Sequence, residues 1–197
     1  GINATSAEVS ERQLQEMHAK PFQAAISEAG LKGVMPCYCS INGEDVSASH
    51  NMLTKLLRED MGFEGMCISD YGAVGNAHSV HHIGETFEDA GLMCLSAGMD
   101  VEMPSVTGYN EKLKEMFRRG AADIKVLDTA VLRVLEGKFR MGLFENPFAM
   151  EGEELHSVVI NDNDRDVSLK SARESMVLLK NDGVLPLDLG VKKIALI

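Results

Sequence analysis

Positive charge is in short supply. The 197 residues carry 19 Lys and Arg against 30 Asp and Glu, a formal charge of −11, which is the wrong sign for gripping a phosphate backbone or an anionic membrane surface. Nucleic acid and membrane are therefore not expected partners. Long hydrophobic runs are missing too: none reaches the roughly 18–20 residues of a spanning helix. The amino end, GINATSAEVSERQLQEMH, is polar and lacks the basic, apolar and small-residue succession of a signal peptide. Cysteine is sparse. Cys37, Cys39, Cys67 and Cys94 sit in apolar stretches, and no two of them have the two-residue gap of a zinc or redox site. Buried free thiols in a reducing cytoplasm are the expectation. No phosphate-cradling glycine loop with Lys-Ser or Lys-Thr is present, nor a Gly-x-Ser-x-Gly elbow, which argues against nucleotide binding and serine hydrolysis. The sequence implies no cofactor.

What is there is an ordinary globular composition, 45% hydrophobic and 25% charged, with enough apolar surface for a core. Ser10 to Ala29 reads as a helix capped by Ser10, broken or kinked at Pro21 and stopped by Gly30. Gly33 to Tyr38 reads as a short buried strand weakened by Pro36, and Asn51 to Met61 as a helix with one wet face. Met66 to Ser69 is a second buried strand ending at Asp70. Glu88 to Ala97 is a helix stopped by Gly98, and Met99 to Met103 is a third strand closed by Pro104. Strands that are continuous apolar runs alternating with helices indicate an α/β fold with a parallel sheet.

Two more helices are expected near Gly108 to Arg119 and Ile124 to Met141. The second has Ile124, Leu127, Val131, Val134, Leu135 and Phe139 close to one stripe. Phe144 to Asp166 reads as a surface linker, Ser168 to Asn181 as a helix, and Lys192 to Ile197 as the start of a strand. Three strand-plus-helix units are too few to close an eight-stranded barrel, which takes about 250 residues.

Asp70 is the strongest candidate for chemistry. It follows a buried strand and precedes a turn with Gly72 and Gly75, so it stands at the carboxyl edge, where α/β folds assemble their sites. The competing explanation is that it caps the following segment. Asp100 and Glu102 lie on the next strand, with Glu102 nearer the carboxyl edge, and Asp70 with Glu102 is formally the pair of carboxylates that glycoside hydrolysis needs. The alternative gives Asp100 the task of holding a loop and Glu102 a place on the rim. His78, His81 and His82 read as a solvated or sugar-facing loop. Neighbouring histidines without acidic or thiol ligands at suitable spacing make a poor metal site.

These residues match a known pattern. The stretch VMPCYCSINGEDVSASHNMLTKLLREDMGFEGMCISDYGAV, Val34 to Val74, resembles the core of glycoside hydrolase family 3, the β-glucosidase and β-xylosidase family. VSERQLQEMHAKPFQAAI, LSAGMDVEMP and KFRMGLFENPF are similar to neighbouring barrel segments, and SARESMVLLKNDGVLPL with KKIALI to the opening of the family's second domain. The resemblance implies a partial TIM-type (β/α) barrel over residues 1–148, a linker over 149–167, and the first helix and strand of an α/β sandwich from 168 to 197.

It also implies hydrolysis of β-glucosides or oligosaccharides with retention, Asp70 in Ser69-Asp70-Tyr71-Gly72 being the nucleophile. Met35 and Tyr38 fall on positions that line the sugar subsite, with the Tyr38 hydroxyl a hydrogen-bond partner for Asp70. Tyr71 takes the place usually filled by Trp. The family's Lys-His sugar-binding pair falls upstream of Gly1 and its acid/base glutamate beyond Ile197. The chain by itself is thus expected to be a poor catalyst that self-associates or pairs with a complementing fragment. A β-xylosidase and a non-catalytic assembly or carbohydrate-binding fragment remain the alternatives.

Overall fold

The computed structural model describes residues 2–159, 162–193 and 195. It divides into two compact units, one ending at Pro147 and the other beginning at Phe148.

The first unit opens with strand β1 (Ser6–Ala7) and a helical run in three pieces: α1 (Glu11–Gln13), a π-helical turn over Leu14–His18, and α2 (Lys20–Ser27). Ser10 caps it as expected, its Oγ accepting the Gln13 N–H at 3.2 Å. The run breaks at Ala19, just before Pro21, as expected of that proline. Pro21 lies in the first turn of α2, where its missing N–H had no intrahelical partner to lose. Strand β2 (Gly33–Val34) follows, then β3 (Ser40–Ile41) and β4 (Glu44–Asp45), a hairpin whose Asn42 and Gly43 both adopt positive φ, as a type I′ turn requires. The order is β1-β3-β4, with β1 parallel to β3.

A π-helix over Asn51–Asp60 leads to β5 (Met66–Cys67), which pairs in parallel with β2, Gly33 opposite Met66 and Val34 opposite Cys67. A parallel bridge from Ile68 to Val101 adds a third strand position. The parallel arrangement is the expected one, but the strands are shorter than the apolar runs. Gly33 to Tyr38 pairs only over its first two residues, because Pro36 has no N–H to give a ladder.

Helix α3 (Ala73–Ser79) occupies what reads in the sequence as a loop. It is built from small residues that pack by close approach rather than by an apolar stripe: a Cβ on Gly75 would lie 3.1 Å from Thr107 Cγ2. Helices α4 (Phe87–Ala97), α5 (Glu111–Arg118) and α6 (Ile124–Arg140) follow, each started by a capping side chain, Thr86, Asn110 and Asp123. Gly98, at φ +116°, ends α4 in the left-handed conformation that glycine adopts without strain. The main core gathers Leu53, Cys67, Val74, Ala90, Cys94 and Met99. Only part of the α6 stripe is covered. Ala130 is buried, whereas Val131, Leu135 and Phe139 are exposed, the first two beside a cleft of about 550 Å³.

The second unit contains α7 (Gly152–Val159) and α8 (Asp162–Ser175). Residues 149–167 are therefore not an irregular linker. The described residues of both helices are exposed. The helix expected over Ser168 to Asn181 starts earlier and stops at Ser175. Three residues of the strand expected over Lys192 to Ile197, namely 194, 196 and 197, lie outside the described residues.

Candidate active site

The chain leaves β5 through Ile68-Ser69-Asp70-Tyr71-Gly72, and backbone bonds hold this exit on both sides. The Ile68 N–H donates to the Val34 carbonyl at 2.9 Å, the Ser69 N–H to Val101 at 2.9 Å and the Gly72 N–H to Met103 at 2.9 Å. The Ser69 hydroxyl accepts the Met103 N–H at 2.8 Å. Gly72, at φ +75°, turns the chain into α3. Asp70 is thus fixed at the carboxyl edge of three parallel strand positions, half-exposed, with Oδ1 accepting the Tyr71 N–H at 2.6 Å.

Met35 lies just beyond β2 on the same edge, 61% exposed, and Tyr71 is 67% exposed. The Tyr38 phenol is drawn into this edge. Its hydroxyl donates to the Tyr71 carbonyl at 2.8 Å and also stands within hydrogen-bonding reach of the Asp70 carboxylate, the partner the family pattern implies. Desolvation, with the Asp70 carboxylate beside it, pushes the Tyr38 phenol above its ordinary range.

Glu102 is engaged elsewhere. Its Oε1 accepts from the Thr107 and Gly108 amides, both at 3.0 Å, and its Oε2 from Tyr109 at 2.8 Å. Both oxygens clamp the loop before α5, which makes Glu102 a poor partner for a sugar or a leaving group. The roles weighed for the two carboxylates of this strand are exchanged, since Asp100 is the fully buried one and holds no loop. Its Oδ2 takes the Cys67 N–H at 2.8 Å and an Arg58 nitrogen at 2.7 Å, and its Oδ1 an Arg133 nitrogen at 3.0 Å.

The histidines are not one solvated loop. His78 belongs to α3 and meets the Phe87 ring edge-on, its Nδ1 3.3 Å from the Gly84 carbonyl. His82 is exposed, and His81 turns inward. Its Nε2 lies 2.8 Å from the Tyr38 carbonyl and its Nδ1 3.2 Å from Ser40 Oγ. No spacing rule could single out His81, because its partners come from a segment far upstream. Among the described residues no group of His, Cys, Asp and Glu could hold a metal ion, and no helix is long and apolar enough to cross a membrane. All four cysteines are free. Cys67 and Cys94 are buried as expected, but Cys37 is exposed beside Pro36, where the short strand has already ended.

A half-exposed carboxylate at a strand edge, with apolar and aromatic side chains around it, can attack an electrophilic carbon held against that edge. The family description "Glycosyl hydrolase family 3 N terminal domain" matches residues 1–136, and the chain belongs to that family. A β-xylosidase of Formosa agariphila is 34% identical over 100% of this chain and 28% of its own length. A β-glucosidase of Rhizobium radiobacter is 36% identical over 92% of this chain and 20% of its own. The crystal structure of a β-glucosidase from Listeria innocua superposes with a TM-score of 0.79 at 31% identity, covering 95% of this chain and 26% of that one. The chain thus spans about a quarter of the length of the relatives it matches.

Proposed function

We propose that this chain carries the nucleophile of a retaining glycoside hydrolase acting on β-linked glucosides, and that Asp70 is that nucleophile. The observation that carries the reading is Asp70's place: at the carboxyl edge of parallel strands, anchored through its own and neighbouring backbone, with the carboxylate accessible. In the first step an Asp70 oxygen bonds to the anomeric carbon as the glycosidic C–O bond breaks, giving a glycosyl ester. In the second, water bonds to the anomeric carbon from the face the first leaving group vacated, opposite the ester, as the bond to Asp70 breaks, which frees the carboxylate and restores the configuration. Met35 and Tyr71 wall the sugar, and Tyr38 steadies Tyr71, whose N–H bonds Asp70. The proton for the departing oxygen is assigned to no residue of this chain, since the oxygens of Glu102 are taken by loop amides.

The parallel β2, β5 and Val101 positions support reading residues 1–148 as part of a (β/α)8-type barrel, and the division after Pro147 supports a second domain beyond it. Self-association is expected through the apolar residues that α6 leaves exposed, and a monomer in sedimentation at micromolar concentration counts against it. A β-xylosidase is the second reading, because relatives bearing that name match the chain as well as β-glucosidases do.

Intact mass after incubation with a 2-deoxy-2-fluoroglycoside carrying an activated leaving group tests the proposal, since such a substrate needs no acid assistance. One sugar per chain, mapped to Asp70 and absent in Asp70→Asn, is the expected result. A label on another residue, or none with either the glucosyl or the xylosyl reagent, overturns it. The faster reagent decides between the two sugars.

A further inference from the structure

We propose that His81 is a positioning residue for Asp70, acting at a distance through Tyr38 and Tyr71. The inference rests on the reading of Asp70 as the nucleophile.

Three short hydrogen bonds connect the histidine to the carboxylate. His81 Nε2 lies 2.8 Å from the Tyr38 carbonyl, the Tyr38 hydroxyl donates to the Tyr71 carbonyl at 2.8 Å, and the Tyr71 N–H donates to Asp70 Oδ1 at 2.6 Å. A carbonyl can only accept, so the geometry assigns the ring proton to Nε2, and Nδ1 is left to accept from the Ser40 hydroxyl 3.2 Å away. Tyr38 is consequently held at two points. Its backbone is tied to His81 and its phenolic tip to the carbonyl of Tyr71, the residue whose own N–H bonds Asp70, so the ring is a strut of fixed length under the site.

His81 is itself confined. Its side chain is 10% exposed, and the Asp45 carboxylate, 2% exposed, stands 3.9 Å from Nε2. Asp45 is held in turn by the Ser47 N–H, which donates to its Oδ1 at 3.0 Å. Oδ1 is also the Asp45 oxygen that faces His81, while Oδ2 has no hydrogen-bond partner. A group placed by such a chain gains precision, and displacement of a reacting atom by about 1 Å costs on the order of 100-fold in rate.

The test measures labelling by the activated 2-fluoroglycoside as a first-order rate at saturation and a separate binding constant. His81→Leu removes the donor at similar volume. It is expected to slow the saturated rate about tenfold and to change binding less than about threefold, because the link orients the carboxylate and does not touch the sugar. His81→Gln, whose amide reaches the same carbonyl, is expected to recover most of the rate. In a Tyr38→Phe background, where the strut is already cut, His81→Leu is expected to add little. An unchanged rate in His81→Leu, or the same loss with and without the Tyr38 hydroxyl, overturns the inference.

A second readout needs no labelling. The Tyr38 ring carbon, followed by NMR, should titrate above the ordinary tyrosine range in the wild type and move back toward it in His81→Leu. A Tyr38 titration indifferent to His81 overturns the positioning role. A wild-type chain that takes no label while the titration responds to His81 removes the nucleophile reading and leaves the link intact.

Discussion

Asp70 and Asp100 stand at opposite ends of the same pair of adjacent strand positions, and the fold treats them in opposite ways. Asp100, at the amino end, is buried to the last oxygen. It takes one backbone amide and two arginines, and Arg58 in turn reaches the Gly65 carbonyl at 3.0 Å and lies over the Phe63 ring. Burial pulls the Arg58 guanidinium below its usual range even with a carboxylate in contact, so this charge cluster is under real desolvation. Asp70, at the carboxyl end, is half-exposed, with one backbone amide on its carboxylate and the Tyr38 phenol beside it. One edge spends its carboxylate on holding elements together and the other keeps its carboxylate available, which is the usual separation between the stability face and the chemical face of parallel α/β architectures.

That contrast is easiest to break at Asp70. Asp70→Asn is expected to abolish covalent labelling outright, as read by intact mass. Asp100→Ala should do the reverse and cost stability first. It takes the carboxylate away from buried Arg58 and half-buried Arg133 and leaves the Cys67 amide without its acceptor, a loss of about 3–5 kcal/mol in urea unfolding. A smaller effect is expected where the carboxyl edge depends on tight packing. A Cβ on Gly91 would lie 2.5 Å from the Gly108 carbonyl oxygen, so Gly91→Ala must push back the loop that Glu102 clamps, costing about 1–3 kcal/mol in the same assay.

The smallest effect belongs to Glu88 in the first turn of α4. Its own N–H, assisted by Lys112 at 3.3 Å, holds its carboxyl below the ordinary value of 4.5. A depressed folded pKa stabilises above the unfolded value and loses that contribution as pH falls through the folded one. The melting temperatures of wild type and Glu88→Gln should therefore converge as the pH drops below 4.5.

The helices were legible where an apolar period runs to a clear stop. Glu88 to Ala97 with Gly98 after it, and the stripe over Ile124 to Met141, fall within a residue of the bounds of α4 and α6. Helix α3 was not, because Ala73, Gly75 and Ala77 pack through the absence of side chains, which leaves no stripe to detect. Asp70 could be read as a site from its place after an apolar strand. The difference between Asp100 and Glu102 could not, since alternation assigns a face to each residue but not the arginines or loop amides that reach it. His81 was hidden for the same reason. Its partners Tyr38, Ser40 and Asp45 are local only after the chain has folded.

Urea unfolding of Asp70→Asn beside the wild type tests the division between the two edges most directly. If Asp70 is kept for chemistry, the substitution leaves stability within about 0.5 kcal/mol, as expected for a position that carries no structural bond the amide cannot keep. A loss comparable to that of Asp100→Ala would contradict the account, making Asp70 a structural cap and the two ends of the strand pair alike.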